Sequence, residues 1–379
     1  MNILVASGIF HPDPGGPATY LYRLLPELQQ RGHSVRVLSY GNAPSSGYPY
    51  PVQRIPFGRL PLVGTPIRWL RYALAYQRLA RWADVIYLNT FGLPRLSEPP
   101  KRTVMKIVGD YAWERSVTRG WLPPDEDVDA FQTRAYAPRV EAYKTLRSRD
   151  AVAMDRIIVP SAYLGRMVTG WGVAADKVQV IYNALEGSPA ALSATKREAR
   201  SALGWSGDGH YLFTAARLTA WKGIDHLITA LSDVHKVILV VAGEGPDMPR
   251  LRGLVHQWGV NTRIQFVGAL PREKIPLYLR AADYLALYSG YEGLSHTILE
   301  ALQMGTPVIA SDRGGNPEII RDGVNGWLVP HPNGDALRET LGKAFHEGRI
   351  ERLAARTQHG LERFSWVKLV EETVMVLEG

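Results

Sequence analysis

The chain alternates short apolar segments with longer segments whose apolar residues recur at helical spacing. The first helical segment shows this spacing at Tyr20, Leu21, Leu24, Leu25 and Leu28. Such alternation is typical of a parallel sheet with helices on both faces. The segments predicted to be strands form two series, residues 2–6, 35–38, 84–88, 103–108, 156–160 and 177–182, then residues 211–215, 237–242, 263–267, 284–287, 307–310 and 326–329. We therefore predict an α/β chain with two Rossmann-like, doubly wound domains.

Length and composition agree with two ordinary globular domains. A chain of 379 residues exceeds the size at which one core stops growing, about 250–300 residues. A polar, Ala- and Ser-rich stretch at residues 186–195 is the best candidate for the linker. The absence of cysteine excludes disulfides, thiolate metal sites and a cysteine nucleophile. We expect neither a signal peptide nor a membrane-spanning helix, because no apolar run approaches the roughly 20 residues that spanning needs.

The loops that follow strands should carry the chemistry, because ligands bind beyond the carboxyl ends of parallel strands. Arg217 and Lys222 lie in one such loop, where they can bind a diphosphate or can simply be solvated charges. Gly243 follows the next strand and lets the backbone approach a ligand, although a tight turn explains it equally well. The loop at residues 268–271 has the same two interpretations.

The stretch at residues 292–300, EGLSHTILE, is the strongest local signal. Glu292 lies in the loop after a strand, and Glu300 lies on the following helix. The start of that helix, at Ser295, His296 and Thr297, offers free amides and a positive dipole end to a phosphate. Glu300 could accept hydrogen bonds from ribose hydroxyls while Glu292 faces a sugar. Helix capping by one carboxylate and a surface position for the other is the alternative interpretation.

Taken together, the motifs of the second half resemble the donor domain of the family 4 retaining glycosyltransferases, also described as glycosyl transferases group 1, which have the GT-B fold. The matching segments are ARLTAWKG at 216–223, VAGEGP at 241–246, GYEGLSHTILEALQMGTPVIA at 290–310 and NGWLVP at 325–330. They occur in family order and at family-like separations. The glycine pair at 15–16, IYNA at 181–184 and FSW at 364–366 extend the resemblance over most of the chain.

The resemblance implies roles for particular residues. Arg217 and Lys222 would hold the diphosphate of a UDP- or GDP-sugar, with Gly243 and the helix start at 295–297 beside it. Glu292 would contact the transferred sugar, and Glu300 the ribose. Gly16 would let a loop of the first domain close over the phosphates.

The resemblance also implies a domain arrangement. The two domains would face each other across a cleft, and a helix near residues 366–377 would cross back onto the first domain. The boundaries would then be residues 1–187 for the acceptor-side domain, 188–362 for the donor domain and 363–379 for the returning helix.

No cofactor or metal is implied, because cations and a helix dipole stabilise the leaving group in this family. The triplet Asp125, Glu126 and Asp127 has the spacing that binds metal in a different glycosyltransferase fold. Two prolines and a further acid surround it, and it follows no predicted strand. We therefore interpret it as a solvated acidic loop.

The chain departs from the family pattern at one place in the first domain. Many relatives carry a His-Asp pair after a strand there, and the corresponding segment here is IVGDYAWE at residues 107–114. Gly109 stands where the histidine would be. We assign the contact with the sugar or the acceptor to Asp110, with Glu114 as the alternative. His11 is a further candidate near the cleft, and a structural loop histidine is the competing interpretation.

The basic charge is concentrated in the first domain, since the net charge of +8 lies entirely in residues 1–190. Residues 54–81 contain six arginines and no acidic residue. Arg68, Arg71, Arg78 and Arg81 share one helical face. This pattern favours either a helix that contacts an anionic membrane near a lipid-linked acceptor or a packing helix with a solvated basic face. Since no nucleic-acid-binding module is present, we expect no nucleic-acid partner.

The resulting prediction is a retaining, metal-independent glycosyltransferase of the hexosyltransferase type, acting on a hydroxyl acceptor in glycan or lipid-linked glycan biosynthesis. We expect it in the cytoplasm, peripheral to the inner face of the cell membrane. Two alternatives stay open. One is a sugar-nucleotide epimerase of the same fold, and the other is a non-catalytic subunit that binds the nucleotide sugar.

Overall fold

The computed structural model describes residues 1–13, 15–57, 61–96, 101–185 and 193–379, with the backbone alone for residues 61–64. Most of the predicted linker at 186–195 therefore lies outside the described residues. The first domain contains seven described strands: β1 (Asn2–Ser7), β2 (Ser34–Tyr40), β3 (Val52–Ile55), β4 (Val85–Leu88), β5 (Arg102–Lys106), β6 (Arg156–Val159) and β7 (Val178–Val180). Its helices are α1 (Gly16–Gln30), α2 (Pro61–Trp82), α3 (Tyr111–Thr118), α4 (Val128–Thr133), α5 (Pro138–Val152) and α6 (Ala162–Gly170).

The second domain contains six described strands: β8 (His210–Ala215), β9 (Val237–Ala242), β10 (Ile264–Gly268), β11 (Tyr284–Leu287), β12 (Val308–Ser311) and β13 (Gly326–Val329). Its helices are α7 (Lys196–Leu203), α8 (Ile224–Ala230), α9 (Met248–Gln257), α10 (Ile275–Ala281), α11 (His296–Gln303), α12 (Gly334–Ala344) and α13 (Arg349–Ala354). Helix α14 (Trp366–Glu378) is the last element of the chain.

Both sheets are parallel and doubly wound. The strand order is β3-β2-β1-β4-β5-β6-β7 in the first and β10-β9-β8-β11-β12-β13 in the second. In each sheet the order reverses next to the first strand of the domain, and such a reversal opens a crevice beyond the carboxyl ends of the strands. The predicted fold class is confirmed.

Edge strand β3 is the one described strand that the sequence pattern did not predict. It has only four residues, and its Gln53 and Arg54 interrupt the apolar pattern. It pairs with β2 alone, as an edge strand does.

Helix α14 packs on the first domain although it follows the second in the chain. Leu369, Val370 and Leu377 are buried in the same cluster as Ile3 of β1 and Leu21 of α1. The guanidinium of Arg102, at the start of β5, donates to the carbonyl of Val376 at 2.9 Å. The chain therefore crosses between the domains twice.

The two domains touch along the edges that carry the strand ends. The amide of Asn183 donates to the carbonyl of Leu294 at 3.0 Å. The carboxylate of Glu318 accepts from the backbone amides of Ala162 and Tyr163 at 2.9 and 2.8 Å, so an acid of the second domain caps helix α6 of the first. These contacts place the carboxyl edges of the two sheets face to face.

Candidate functional site

The loop between β11 and α11 lies at this junction and carries the predicted 292–300 stretch. The hydroxyl of Ser295 accepts from the amide of Ile298 at 3.3 Å, which caps the helix and starts it at His296. The first amides of the helix lack partners within the helix and form its positive dipole end, and His296, its first residue, lines the cavity between the domains. The carbonyl of Glu292 accepts from Gly315 at 2.9 Å, and a side chain at Gly314 would overlap that carbonyl. The glycine pair at 314–315 therefore holds the loop in place, a signal that the sequence analysis did not use.

Lys222 and Glu292, predicted separately from two loops, meet in the structure. The ammonium of Lys222 donates to the Glu292 carboxylate at 2.5 Å, and both side chains are largely buried. The pair joins the loop after β8 to the loop after β11, which are adjacent strands of the sheet. A diphosphate binding here would therefore share Lys222 with Glu292.

Arg217 lies in the same loop as Lys222, and its side chain is exposed. Two glycines of the neighbouring loop allow close backbone contact with it. A side chain at Gly243, where φ is +128°, would overlap the carbonyl of Ala216, and one at Gly245 would overlap the carbonyl of Leu218. Gly243 thus positions the Arg217 loop, whereas its predicted direct contact with a donor stays a prediction.

Glu300 lies one helical turn after His296 on α11 and is partly exposed. Its carboxylate is 3.6 Å from the guanidinium of Arg272, which follows the loop at 268–271. Burial, followed by the charges of Lys106 and Arg272, lowers the pKa of His296 to about 4, so the imidazole is neutral at pH 7. The assignment of Glu300 to ribose, and of Ser295, His296 and Thr297 to the donor, stays a prediction.

The glycine pair of the first domain contributes to the same cleft. Gly16 begins helix α1 and lines a cavity together with Glu292 and His296. The neighbouring Gly15 has φ of +144°, and a side chain there would press on Ile9 at 2.9 Å. The loop therefore requires glycine at position 15, whereas an added Cβ at Gly16 would meet open space.

Asp110 does not have the surroundings of a residue that contacts a sugar, and this corrects the sequence interpretation. Its side chain is fully buried and caps helix α3, accepting from the amides of Ala112 and Trp113 at 2.9 and 3.1 Å. The other carboxylate oxygen accepts from Gln132 at 2.9 Å and forms an ion pair with Arg147. Because both oxygens are engaged inside the domain, Asp110 fixes the start of α3 instead of facing the cleft.

Glu114 takes the place that Gly109 leaves open. A Cβ built on Gly109 would overlap the Glu114 carboxylate and lie 3.3 Å from the hydroxyl of Tyr291. Glu114 is reached by solvent, yet it sits between the walls of the cleft. Desolvation there, followed by the charge of Asp110, raises its pKa to about 7, and Lys222 opposes the shift. Glu114, the alternative candidate from the sequence, is thus better placed than Asp110 to contact the sugar or the acceptor.

A cavity of about 180 Å³ separates the two strand edges. It is lined by Gly16, Pro17, Tyr20, Asn89, Lys106, Val108, Asn183, Glu292, Gly293, Leu294 and His296. Lys106 and Asn89 are two polar members that sequence reasoning missed. Each closes an apolar strand, and only the pairing of those strands brings them together.

His11 belongs to an aromatic cluster in the loop after β1. Its ring stacks on Tyr22 with the centroids 3.9 Å apart, and its Nδ1 lies 3.2 Å from the hydroxyl of Tyr48. The backbone carbonyl of His11 accepts from the same hydroxyl at 2.6 Å. These contacts favour the structural interpretation of this histidine.

The acidic triplet makes ordinary protein contacts. Glu126 accepts from the hydroxyl of Tyr136 at 2.6 Å and pairs with Arg134 at 3.1 Å. Asp127 caps helix α4. Within the described parts of the chain, no group of three or more His or acidic side chains is arranged to hold a metal ion.

Helix α2 divides the basic segment between two environments. Tyr72 and Tyr76 are fully buried in the first domain, and Arg68 lies over the rings of Tyr40 and Phe57 at 5.5 and 5.4 Å. The outer side combines exposed arginines with exposed apolar side chains, namely Arg71, Arg78, Arg81, Ile67, Trp69, Leu70 and Leu74. Among the described helices, none is long and apolar enough to cross a membrane.

Two protein-family models match the chain in consecutive parts. The model described as Glycosyltransferase Family 4 matches residues 14–186, and the model described as Glycosyl transferases group 1 matches residues 195–360. Together they span both domains described above. The chain therefore belongs to the family 4 glycosyltransferases.

The relatives of the chain bear this out. A D-inositol 3-phosphate glycosyltransferase of Saccharomonospora viridis is 26% identical over 93% of this chain and 86% of its own length. The chain spans about half the length of other relatives, which are 30–33% identical over the matched part.

Solved structures show the same fold at low identity. Sucrose-phosphate synthase from Thermosynechococcus elongatus has a TM-score of 0.82 at 20% identity, covering 100% of this chain and 98% of that one. HepE from Anabaena, solved in complex with UDP-glucose, has a TM-score of 0.76 at 20% identity, covering 100% and 99%.

Proposed function

We propose that the protein transfers a sugar from a nucleoside diphosphate sugar to a hydroxyl group of an acceptor, with retention of the anomeric configuration. The observation that carries this proposal is the Lys222–Glu292 pair beside the exposed Arg217 and the start of α11. Two cations and a helix N-terminus are suited to a diphosphate leaving group, and the carboxylate is suited to sugar hydroxyls. The UDP-glucose complex of the HepE structure supports a nucleotide sugar as the donor.

The role of each residue in this reaction is inferred from the position of its side chain. Arg217 and Lys222 stabilise the charge that develops on the diphosphate when the bond to the anomeric carbon breaks. Glu292 orients the sugar, and binding of the diphosphate draws Lys222 from Glu292 toward the phosphate. Glu114, across the cleft, accepts a hydrogen bond from a hydroxyl of the sugar or the acceptor. These steps use no metal ion.

The donor site is tested by paired substitutions. Lys222→Met and Glu292→Gln should each lower transfer by at least about 100-fold, as expected when a preorganised charge at the reacting centre is removed. Lys343 and Glu339 form an exposed ion pair on α12, so Lys343→Met and Glu339→Gln are matched controls that should leave the rate unchanged. Wild-type rates in both site variants would refute the assignment.

The donor and the reaction type need separate measurements. Thermal shift against UDP-, GDP- and dTDP-sugars identifies the nucleotide, and proton NMR of the product reports whether the anomeric configuration is kept. An inverted product would contradict retention. Conversion of the donor without an acceptor would instead identify an epimerase, and donor binding without transfer or hydrolysis would identify a non-catalytic subunit.

We further propose that the outer side of α2 contacts an anionic membrane that carries the acceptor. Ile67, Leu70 and Leu74 are each about half exposed and lie on the side that also presents Arg71 and Arg78. Arginines beside apolar side chains are suited to the interface of an anionic bilayer. This location would place the enzyme on the inner face of the cell membrane in glycan assembly.

Vesicle sedimentation tests the membrane contact. The wild type should sediment with vesicles containing phosphatidylglycerol and not with pure phosphatidylcholine vesicles, and added salt should weaken the binding. Leu70→Glu with Leu74→Glu should abolish it. Trp258→Glu removes an exposed apolar side chain from the second domain and should have no effect. Equal sedimentation of all three proteins would overturn the proposal.

A further inference from the structure

Two strands of the first sheet end side by side at the cavity between the domains. Leu88 of β4 pairs with Met105 of β5, so Asn89 and Lys106 are neighbours at the next position in the register. Both side chains are at least nine-tenths buried, with exposures of 9% for Asn89 and 5% for Lys106. They line the cavity opposite His296 and the start of α11.

Neither side chain has a hydrogen-bond acceptor within the described part of the protein. The ammonium of Lys106 and the side-chain amide nitrogen of Asn89 are both buried donors without a partner. Buried donors are nearly always satisfied in folded proteins, because an unpaired buried donor has lost its hydrogen bonds to water without replacing them, at a greater cost for a charged group. Two such donors at adjacent strand ends therefore point to a ligand.

Among the residues that the structure describes, no carboxylate pairs with the ammonium of Lys106. Its contact is the ring of Tyr20, with the ammonium 4.1 Å from the ring centroid. Burial alone lowers its pKa to about 7, with no nearby carboxylate opposing the shift. Glu292 lines the same cavity but is paired with Lys222. An anion at this position would supply the missing charge and accept from both donors.

The cavity is too small for a whole nucleotide sugar, since drug-sized ligands occupy about 300–1,000 Å³. Its volume of about 180 Å³ suits one substituent of a larger substrate. The two unpaired donors that line it are an ammonium and a side-chain amide, both of which favour an oxyanion.

We infer that Lys106 and Asn89 form a subsite for an anionic substituent of the substrates, a phosphate or a carboxylate, separate from the donor diphosphate. The inference rests on the proposed function, because the subsite shares its cavity with Glu292, which that function assigns to the transferred sugar. The substituent belongs either to the transferred sugar, as in a uronic acid, or to the acceptor, as in a sugar phosphate.

Calorimetric titration with inorganic phosphate, carried out on the wild type with and without saturating UDP, is the first test. Phosphate should bind in both cases, because the subsite lies apart from the diphosphate. Lys106→Met should weaken phosphate binding by about tenfold or more, the loss expected for a charge-assisted hydrogen bond. Lys343→Met is the control and should bind phosphate like the wild type. Equal phosphate affinity in the wild type and Lys106→Met, or no binding by the wild type, would overturn the subsite.

A second variant tests the subsite while keeping Lys106. Asn89→Asp places a carboxylate beside Lys106. This carboxylate would form an ion pair with the ammonium and repel phosphate. It should lose phosphate binding while still unfolding cooperatively on heating and keeping the UDP affinity of the wild type. Retained phosphate binding in a folded Asn89→Asp protein would contradict the inference.

Two further arms identify the source of the anion. In the donor arm, UDP-glucuronate is compared with UDP-glucose, and in the acceptor arm, glucose 6-phosphate is compared with glucose in the presence of UDP. A preference for the anionic member that disappears in Lys106→Met assigns the subsite to that arm. No preference in either arm refutes the substrate role even if phosphate binds. Failure of UDP itself to bind would instead refute the proposed function, leaving the phosphate titration as an independent result.

Discussion

Replacement of Lys106 by methionine should stabilise the protein, and the gain should depend on pH. Methionine fills nearly the same volume without a charge, so the substitution removes the desolvation free energy of a buried ammonium. Burial lowers the pKa of Lys106 from 10.5 to about 7 in the folded protein. Between pH 7 and pH 10.5, Lys106 is therefore protonated in the unfolded chain and largely neutral in the folded protein. The wild type consequently loses stability as the pH falls from 10.5 to 7, and the loss is constant below that.

The size of the effect follows from the pKa difference. One pKa unit corresponds to about 1.4 kcal/mol, so Lys106→Met should raise the free energy of unfolding by up to about 5 kcal/mol near pH 7. By the same relation the gain falls to about 2 kcal/mol at pH 9 and vanishes above pH 10.5. The side chain is 5% exposed, so solvent screens the charge little.

Urea unfolding of both proteins at pH 7 and pH 9, followed by tryptophan fluorescence, measures the difference. Comparing variant with wild type at each pH cancels the titration of all other groups, and equal slopes against urea show that the same surface unfolds. Lys343→Met, at an exposed position, should give no pH-dependent gain. A Lys106→Met protein that is less stable than the wild type by the same amount at pH 7 and pH 9 would refute the reasoning. Such a result would show that other groups of the folded protein stabilise the ammonium.

Three other substitutions probe the remaining parts of the site. Asp110→Asn should lower the free energy of unfolding by about 3–5 kcal/mol, because it leaves Arg147 buried without its partner, and chemical denaturation should detect the loss. The rate of transfer should rise with pH through about 7 as Glu114 ionises, and Glu114→Gln should remove this rise while Lys106→Met retains it; a rise that survives in Glu114→Gln would exclude this role. Gly243→Ala should cost about 2 kcal/mol or more, because φ is +128° and the new Cβ would overlap a carbonyl of the Arg217 loop; unchanged thermal unfolding would contradict this.

The elements that the sequence predicts well are those whose signal is local. The apolar strands of both sheets and the helix start near 295–297 can be recognised within ten residues of chain, and all have the predicted type in the structure. Strand β3 escapes because four residues at a sheet edge, with polar Gln53 and Arg54 between the apolar ones, carry too little periodicity.

Site residues that depend on contacts between distant segments could not be predicted in the same way. Asp110 looks like an exposed acid after a strand, and only the fold shows that Arg147 and Gln132 enclose it. Lys106 looks like the polar end of an apolar strand, and its missing partner is visible only once Asn89 lies beside it. Burial and pairing are three-dimensional properties, so residue type and spacing do not determine them.

Gly109 leaves room in the first domain for a polar group in the cleft, the carboxylate of Glu114. Glu114 is the fourth residue of α3, one turn beyond its capping residue Asp110. The cap fixes the start of the helix, and the helix then directs Glu114 over the backbone of Gly109. A larger residue at 109 would displace that carboxylate from its position over Gly109. Gly109→His should therefore lower the rate of transfer, because the imidazole and the Glu114 carboxylate would compete for the same space. Shortening Glu114 at the same time should relieve this overlap. Transfer by Gly109→His alone at the wild-type rate would show that Glu114 is not the group the cleft requires.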